Sequence, residues 1–146
     1  MPIVVTGVTP LLEVFDMATS IAFYRDALGF EIVHTSQLGE RFDWALLRLE
    51  GAELMLNTAY DENERPQVPD PRRSPGHADA TLFFGCPDVD AAYTHLRDKG
   101  IAVEGPTVRD YGMKQLWVTD PDGFKLCFQW PVARPAAAAD PQTASD

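Results

Sequence analysis

The chain has 146 residues, of which 45% are hydrophobic and 23% charged, the composition of one soluble globular domain large enough to bury a core. Its 22 acidic and 12 basic residues give a formal net charge of -10, which argues against nucleic acid as a partner, because such proteins need clustered Lys and Arg. We expect no signal peptide and no membrane partner, since no apolar run approaches the ~20 residues that span a bilayer. The two cysteines have no CxxC spacing, so we expect free thiols and a cytoplasmic location.

The first half of the chain predicts a strand, a helix and three further strands. A β-prone run at 8–15 precedes a helix, and strand candidates follow it at 30–35, 42–49 and 53–57. The apolar positions of the helix are spaced by three and four residues, at Ile21, Tyr24 and Leu28. Gly29 stands where a helix end needs a residue that tolerates positive φ.

The second half repeats this order after a polar, proline-rich stretch at 60–77, which we interpret as a linker. A β-prone run at 80–86 precedes a helix that ends near Gly100. The apolar positions of this helix are Val89, Ala92, Tyr93 and Leu96. The strand candidates that follow are 101–103, 114–119 and 124–130, with the turn signal DPDG at 120–123.

The two halves are related by an offset of 72 residues. This offset aligns Asp16 with Asp88, and residues 51–56 with residues 123–128. A period this long exceeds that of solenoid repeats and indicates a duplicated module. We therefore predict one domain over 1–130, with module one at about 5–58, the linker at 60–77 and module two at about 78–130. The Ala- and Pro-rich segment 131–146 predicts a disordered tail.

Two motifs resemble those of a known family. Residues 20–30 read SIAFYRDALGF, similar to the FY..LGF signature of the vicinal oxygen chelate superfamily, and residues 118–126 read VTDPDGFKL, which looks like its closing DPDG motif. This superfamily includes glyoxalase I, extradiol dioxygenases and bleomycin-resistance proteins. The resemblance covers roughly residues 5–130 and implies an α+β fold: two βαβββ modules that form a curved eight-stranded mixed sheet around a cleft.

The resemblance also indicates where the family's metalloenzymes hold their cation. Their ligands, typically His, Gln or Glu, come from the first and last strand of each module. In this chain those positions fall on Thr9, Met55, Thr81 and Cys127. Two hydroxyls, a thioether and a thiol do not suit Mg²⁺, Mn²⁺, Fe²⁺ or Ni²⁺, so we expect no ordinary metal site and no cofactor. A soft ion such as Cu(I) is the one alternative for Met and Cys.

A site displaced by one rung is a second alternative, because residues two apart in a strand share a face. Glu13 and Glu53 would supply it in the first module. The equivalent rungs of the second module carry Asp79, Lys125 and Gln129. The three histidines, His34, His77 and His95, are more typical of surface or packing positions than of ligands.

Strand parity predicts which side chains line the cleft. Ala45 and Leu47 have to face the helices, which leaves Trp44 and Arg48 on the other face. Leu116 and Val118 likewise leave Gln115, Trp117 and Thr119 on that face. The ligand-binding residues that we predict are Trp44, Arg48, Glu53, Met55, Asn57, Phe83, Tyr111, Trp117, Cys127 and Gln129. Large apolar walls with a few polar groups are typical of a small-molecule pocket, although the same residues could fill a core or a dimer interface.

These observations favour a metal-independent small-molecule-binding protein of the bleomycin-resistance type. Such a protein sequesters an aromatic or cationic drug or metabolite in an aromatic-lined cleft, with Glu53 available to pair with a cation. The resemblance also implies a homodimer. The alternative is an enzyme of the same superfamily, a lyase, isomerase or dioxygenase. It would use a displaced divalent-metal site, or acid–base chemistry from Glu53, Tyr111 or Cys127.

Overall fold

A computed structural model describes residues 3–61 and 63–133 and contains the predicted strand–helix–three-strand unit twice. The first module consists of β1 (Leu11–Val14), α1 (Met17–Ile21) with a π-helical continuation (Ala22–Leu28), β2 (Glu31–Thr35), β3 (Trp44–Leu49) and β4 (Ala52–Thr58). A short helix α2 (Arg73–His77) follows. The second module consists of β5 (Thr81–Gly85), α3 (Val89–Asp98), β6 (Thr107–Val108), β7 (Met113–Thr119) and β8 (Lys125–Pro131). The α+β class and the duplication are confirmed.

The two modules have the same sheet topology. The strand order is β1-β4-β3-β2 in the first sheet and β5-β8-β7-β6 in the second. In the first sheet β1 runs parallel to β4, whereas β3 is antiparallel to both β4 and β2. Each module is therefore a four-stranded sheet with its helix between the first two strands of the sequence. No helix within the described ranges has the length and hydropathy that crossing a bilayer would require.

The chain divides into two compact units whose boundary differs from the boundary between the modules. Of the described residues, the first unit contains 3–61, 63–80 and 119–125, and the second contains 81–118 and 126–133. The turn between β7 and β8 thus belongs, by its contacts, to the first unit.

The core of the first unit is the buried face of its sheet covered by its helix. Alternate strand residues are buried, as period-two patterning predicts: Leu12, Val14, Ala45, Leu47, Leu54 and Leu56. The helical stripe predicted from the sequence, Ile21, Tyr24 and Leu28, is buried as well. Full burial of each Leu, Ile or Val side chain among them contributes about 1.5–3 kcal/mol. Gly29 ends the helix with φ 100°, which is the conformation expected of it.

The core of the second unit is built in the same way. Its buried side chains include Val89, Leu96, Leu116, Val118, Leu126 and Phe128. Asp88 caps helix α3 by accepting a hydrogen bond from the amide of Ala91 at 2.9 Å. Gly100 follows that helix with φ 81°. Ala92 and Tyr93, predicted on the apolar stripe, are half-buried.

Two local predictions were wrong, each for a backbone reason. Residues 101–103 do not form a strand, because the amide of Ile101 donates to the carbonyl of Leu96 at 3.0 Å and so closes the helix. The strand β6 lies later, at Thr107–Val108, after Gly105 and Pro106. Strand β1 begins only after Pro10, which has no amide hydrogen to donate. The linker contains helix α2, which the sequence pattern did not indicate.

The turn between β7 and β8, residues Asp120–Gly123, is anchored by its two buried aspartates and is called the aspartate turn below. One oxygen of Asp120 accepts from the amides of Asp122 and Phe124 at 2.8 and 2.9 Å. The other accepts from the hydroxyl of Tyr24 at 2.6 Å. Burial raises the pKa of Asp120, and burial together with this carboxylate raises the pKa of Tyr24.

Asp122 connects the aspartate turn to the start of the first helix and to α2. Its carboxylate accepts from the amide of Phe15 at 2.7 Å, from the hydroxyl of Ser20 at 3.3 Å and from the guanidinium of Arg73 at 2.6 Å. Its carbonyl lies 2.6 Å from Nδ1 of His77, and since a carbonyl only accepts, Nδ1 carries the proton. The buried carboxylate therefore has the partners that a buried charge requires.

Candidate functional site

The open face of the first sheet carries the five site residues predicted in that module. Trp44 and Leu46 are half-buried and Arg48 is exposed, whereas the alternate residues of β3 are buried. Register places these residues in rows across the sheet. The first row contains Trp44, Asn57 and Glu13, the second Leu46, Met55 and Leu11, and the third Arg48 and Glu53. The predicted parity of β3 and β4 is confirmed.

Two charged side chains on this face, Arg48 and Glu53, form an ion pair. Both Nε and Nη2 of Arg48 donate to one carboxylate oxygen of Glu53, at 2.8 and 2.6 Å. The guanidinium therefore already occupies the carboxylate that the sequence suggested for a cationic ligand. Use of that oxygen, Oε2 of Glu53, as a base or metal ligand would first require breaking this ion pair.

The open face of the second sheet carries an exposed aromatic pair. Phe83 on β5 and Trp117 on β7 meet edge to face, with ring centroids 5.7 Å apart and planes at 78°. Phe83 is 54% exposed and Trp117 is 43% exposed, so neither ring belongs to the core. Two large rings held against each other at a surface offer a flat molecule both a face and an edge to contact.

Beside this pair lies a hydrogen-bonded group centred on Gln115. Its amide nitrogen donates to Oε1 of Gln129 at 2.8 Å and to the hydroxyl of Tyr111 at 3.1 Å. Its amide oxygen accepts from the indole Nε1–H of Trp117 at 3.1 Å. Three predicted site residues are thus linked through a fourth, Gln115, which is only 3% exposed. Strand parity predicted Gln115 on this face, but Gln115 was not among the ten predicted ligand-binding residues. An amide side chain two residues from a tryptophan, and so on the same face, was the pattern that could have identified it.

Cys127 differs from the other predicted site residues because its side chain is fully buried. Burial raises the pKa of its thiol to about 11, so the group is protonated at neutral pH. Alternation along β8 sets Cys127 on the same face as Gln129, opposite Leu126 and Phe128, but its burial keeps it from contacting a ligand unless its neighbours move. Both cysteines are free, and Cys86 is half-buried with its thiol 3.7 Å from the carbonyl of Asp88.

The residues at the family's metal positions do not fit a divalent cation. Met55 lies opposite Leu11, and Thr9 precedes the strand. Met55 contributes a thioether and Cys127 a protonated thiol, and neither is a donor for a hard cation. Residues 3–61 and 63–133 contain no cluster of three His, Cys, Asp or Glu side chains suited to a metal.

The three histidines, and Lys125 at one position of the displaced site, do not supply a divalent-cation site either. His77 stacks on Phe124 with ring centroids 4.0 Å apart, as part of the packing around the aspartate turn. His34 is exposed at the strand position opposite Leu46, and His95 is exposed on α3. Lys125, at a displaced rung, donates to the hydroxyl of Thr119 at 3.1 Å.

The first unit also contains a cavity of about 840 Å³. It lies between the start of α1, the connection from β2 to β3 and the segment after β4, and its apolar lining includes Phe15, Met17, Ile21, Ile32, Phe42 and Tyr60. The guanidinium of Arg65 lies over the Phe15 ring at 5.6 Å. None of the ten predicted site residues lines this cavity, so it is a separate candidate position for a ligand.

Comparisons with known proteins agree with the fold. The family model described as the Glyoxalase/Bleomycin resistance protein/Dioxygenase superfamily matches residues 8–128. The chain is 33% identical over 116 residues to the uncharacterized protein YaeR of Escherichia coli (strain K12), covering 76% of this chain and 84% of YaeR. It is 29% identical over 127 residues to a lactoylglutathione lyase of Haemophilus influenzae, with coverage of 81% and 87%. It is also 29% identical over 129 residues to a bleomycin resistance protein of Geobacillus stearothermophilus, with coverage of 82% and 92%.

Solved structures show the same architecture. A bleomycin-binding protein complexed with bleomycin superposes with a TM-score of 0.64 at 20% identity, covering 88% of this chain and all of that one. TnmS3, an antibiotic binding protein from Streptomyces sp. CB03234, superposes with a TM-score of 0.63 at 24% identity, with coverage of 89% and 99%. The duplicated βαβββ topology, the two motifs and the family model covering both modules lead to one conclusion: the chain belongs to the glyoxalase/bleomycin resistance protein/dioxygenase superfamily.

Proposed function

We propose that this protein is a metal-independent binding protein that sequesters a small aromatic molecule, a drug or a metabolite, without transforming it. The observation that carries the proposal is the exposed pair of Phe83 and Trp117 beside the ordered amide group centred on Gln115. Exposed aromatic rings next to a few fixed polar groups are what a small-molecule site requires.

Binding is favoured over catalysis by the state of the candidate catalytic groups. The carboxylate of Glu53 is held by Arg48 at 2.6 Å, which opposes its use as a base. The thiol of Cys127 is buried and protonated, which opposes its use as a nucleophile. The donors at the family's metal positions do not suit a divalent ion.

The relatives support the same proposal without deciding it. One is named a bleomycin resistance protein, and a structural neighbour binds bleomycin. Another is named a lactoylglutathione lyase, so the superfamily alone leaves enzyme and binding protein open. Because Arg48 neutralises Glu53, that carboxylate gives a cationic ligand no advantage over a neutral aromatic one.

Association into a homodimer forms part of the proposal. Exposed apolar side chains that a partner copy would cover include Leu11, Val108 and Trp130. Light scattering coupled to size exclusion tests this directly, because a dimer has twice the 16.2 kDa mass of the chain. A monomer at concentrations above those used for binding would remove the dimer from the proposal and leave the binding function untouched.

The test of the function combines metal analysis with ligand titration. The protein is purified without chelator and incubated with Mn²⁺, Fe²⁺, Co²⁺, Ni²⁺ and Zn²⁺, and its metal content is measured by mass spectrometry. A panel of planar drugs is then titrated against tryptophan fluorescence. We expect no stoichiometric metal, micromolar binding of at least one compound, and about tenfold or greater weakening in Trp117→Ala and in Phe83→Ala.

The control variant is Phe42→Ala, which removes a ring of the separate cavity in the first unit. It should leave the affinity unchanged. If Phe42→Ala weakens binding and Trp117→Ala does not, the ligand site is that cavity and the assignment to the open face is wrong. Tight stoichiometric metal together with turnover of a panel compound would replace the binding function by an enzymatic one.

A further inference from the structure

In the hydrogen-bonded group around Gln115, Trp117 determines which side-chain atoms donate and which accept. An indole Nε1–H is only a donor, so the group that it contacts has to be an acceptor. It contacts the side-chain oxygen of Gln115 at 3.1 Å. Gln115 is 3% exposed, and turning its amide over would set two donors against each other at a buried position. The orientation of the Gln115 amide therefore follows from the presence of Trp117.

This orientation is passed on to Gln129. With its oxygen engaged by Trp117, Gln115 has only its amide nitrogen to offer, and this nitrogen donates to Oε1 of Gln129 at 2.8 Å. The oxygen of Gln129 is thereby occupied as well. Its own amide nitrogen remains, with two protons, and within residues 3–61 and 63–133 nothing accepts a hydrogen bond from it. Gln129 is half-buried, so these protons lie at the surface of the site.

The members of this group also share a lack of charge. Gln115, Gln129, Trp117 and Tyr111 are neutral, and so is Phe83 beside them. These five residues offer a cation no carboxylate, and the amide protons of Gln129 would face it. A neutral flat ring would contact Phe83 and Trp117 and keep one polar atom for Gln129.

From this geometry, and resting on the proposed function, we propose that the open face of the second sheet recognises its ligand by donating hydrogen bonds. It selects neutral flat rings that carry a carbonyl or comparable acceptor oxygen. It discriminates against rings that carry a donor at the same place, because a donor would meet the amide protons of Gln129. Trp117 thus has two roles: it contacts the ring, and it sets the polarity of the site through Gln115.

The test uses two probes with the same three-ring frame. Acridone has a carbonyl at its central carbon, whereas 9-aminoacridine has an amino group there and is cationic at neutral pH. Both are titrated into the full chain by calorimetry and by tryptophan fluorescence. We expect acridone to bind at least about tenfold more tightly, because an unmatched buried donor is penalised more than a matched one is rewarded.

Variants of Gln129 test the assignment of that preference. Gln129→Glu keeps the shape and exchanges the donor for an acceptor, so it should weaken acridone and reverse the order of the two probes. Gln129→Leu has neither a donor nor an acceptor, so it should abolish the preference for acridone over 9-aminoacridine. It replaces Gln129→Glu as the test if the charged variant unfolds. Trp117→Phe keeps a ring but frees the Gln115 amide to turn, and should narrow the difference between the probes. Gln67→Glu places the same new charge on an exposed linker residue and should behave as wild type.

The outcomes separate this inference from the function on which it rests. If the wild-type protein binds both probes equally, or prefers 9-aminoacridine, donor recognition is overturned and the binding function stands. If acridone is preferred but Gln129→Glu leaves that preference unchanged, the assignment to Gln129 is overturned. If neither probe binds, the inference fails, and the drug panel described above decides the binding function independently.

Discussion

Removing one oxygen atom, in Tyr24→Phe, tests the anchoring of the aspartate turn. The Tyr24 hydroxyl donates to Oδ2 of Asp120 at 2.6 Å, and both side chains are buried. A hydrogen bond to a charged group contributes about 1.5–3 kcal/mol, and the variant leaves a buried carboxylate oxygen without its donor. We therefore expect the free energy of unfolding to fall by about 2–3 kcal/mol. For a chain of this size, that lowers the melting temperature by roughly 4–12 °C.

Chemical denaturation at pH 7 measures this loss, and Tyr93→Phe is the matched control. Tyr93 is half-buried on α3, and no described residue hydrogen-bonds to its hydroxyl, so its loss should cost less than about 0.5 kcal/mol. In a double-mutant cycle, combining Tyr24→Phe with Asp120→Asn should show a coupling energy of about 1–3 kcal/mol. If Tyr24→Phe is no more destabilised than Tyr93→Phe, the hydroxyl does not anchor the turn.

Three further predictions concern groups whose surroundings are unusual. Burial raises the pKa of Asp120, so its carboxyl group binds a proton more tightly in the folded state than in the unfolded state. The stability of the wild type relative to Asp120→Asn should therefore fall as pH rises from about 4 through the raised pKa. A stability difference that does not change with pH in chemical denaturation would contradict this. With a pKa of about 11, only about one part in a thousand of the Cys127 thiol is ionised at pH 8. Iodoacetamide should therefore modify Cys86 first and the buried Cys127 only after unfolding, which peptide mass mapping measures. Gly123→Ala places a methyl group 3.1 Å from helix α2, at a residue with φ 90°. It should lower the free energy of unfolding by roughly 1–2 kcal/mol more than Gly39→Ala, where φ is similar at 91° but nothing lies within 4 Å. Equal losses of stability in thermal melts would mean that α2 moves away from the added methyl group.

The sequence predicted the repeated architecture because that architecture is determined locally. Alternation in β3 and β4 placed Trp44 and Arg48 on the open face, and the helical stripe of Ile21, Tyr24 and Leu28 identified the buried side of the first helix. Gly29 was identifiable because few other residues adopt positive φ without strain. These features depend only on residues that are close in sequence.

The parts that the sequence did not predict depend on residues far apart. The ion pair of Arg48 with Glu53 depends on the register of a hairpin, and the burial of Cys127 depends on how the second sheet packs. The role of Gln115 requires knowing that three other side chains converge on it. The aspartate turn was predicted as a turn, but its contacts were not. Ser20 and Arg73 lie 102 and 49 residues from Asp122 in the chain, too far apart for a local sequence pattern to indicate the contact.

The aspartate turn has a consequence for the order in which the chain can fold. Its hydrogen bonds to Phe15, Ser20 and Tyr24 span 107, 102 and 96 residues, so they close loops that contain most of the described chain. During synthesis, the first unit has its helix and all four strands early, yet the hydroxyls of Ser20 and Tyr24 lack the aspartates that accept from them until residue 122 has left the ribosome. Contacts of such high sequence separation slow folding and keep a partly folded chain exposed for longer. A fragment ending at residue 80 would therefore collapse without its buried carboxylates and remain a loosely packed species until the 119–125 segment was supplied, whether in the same chain or as a separate peptide.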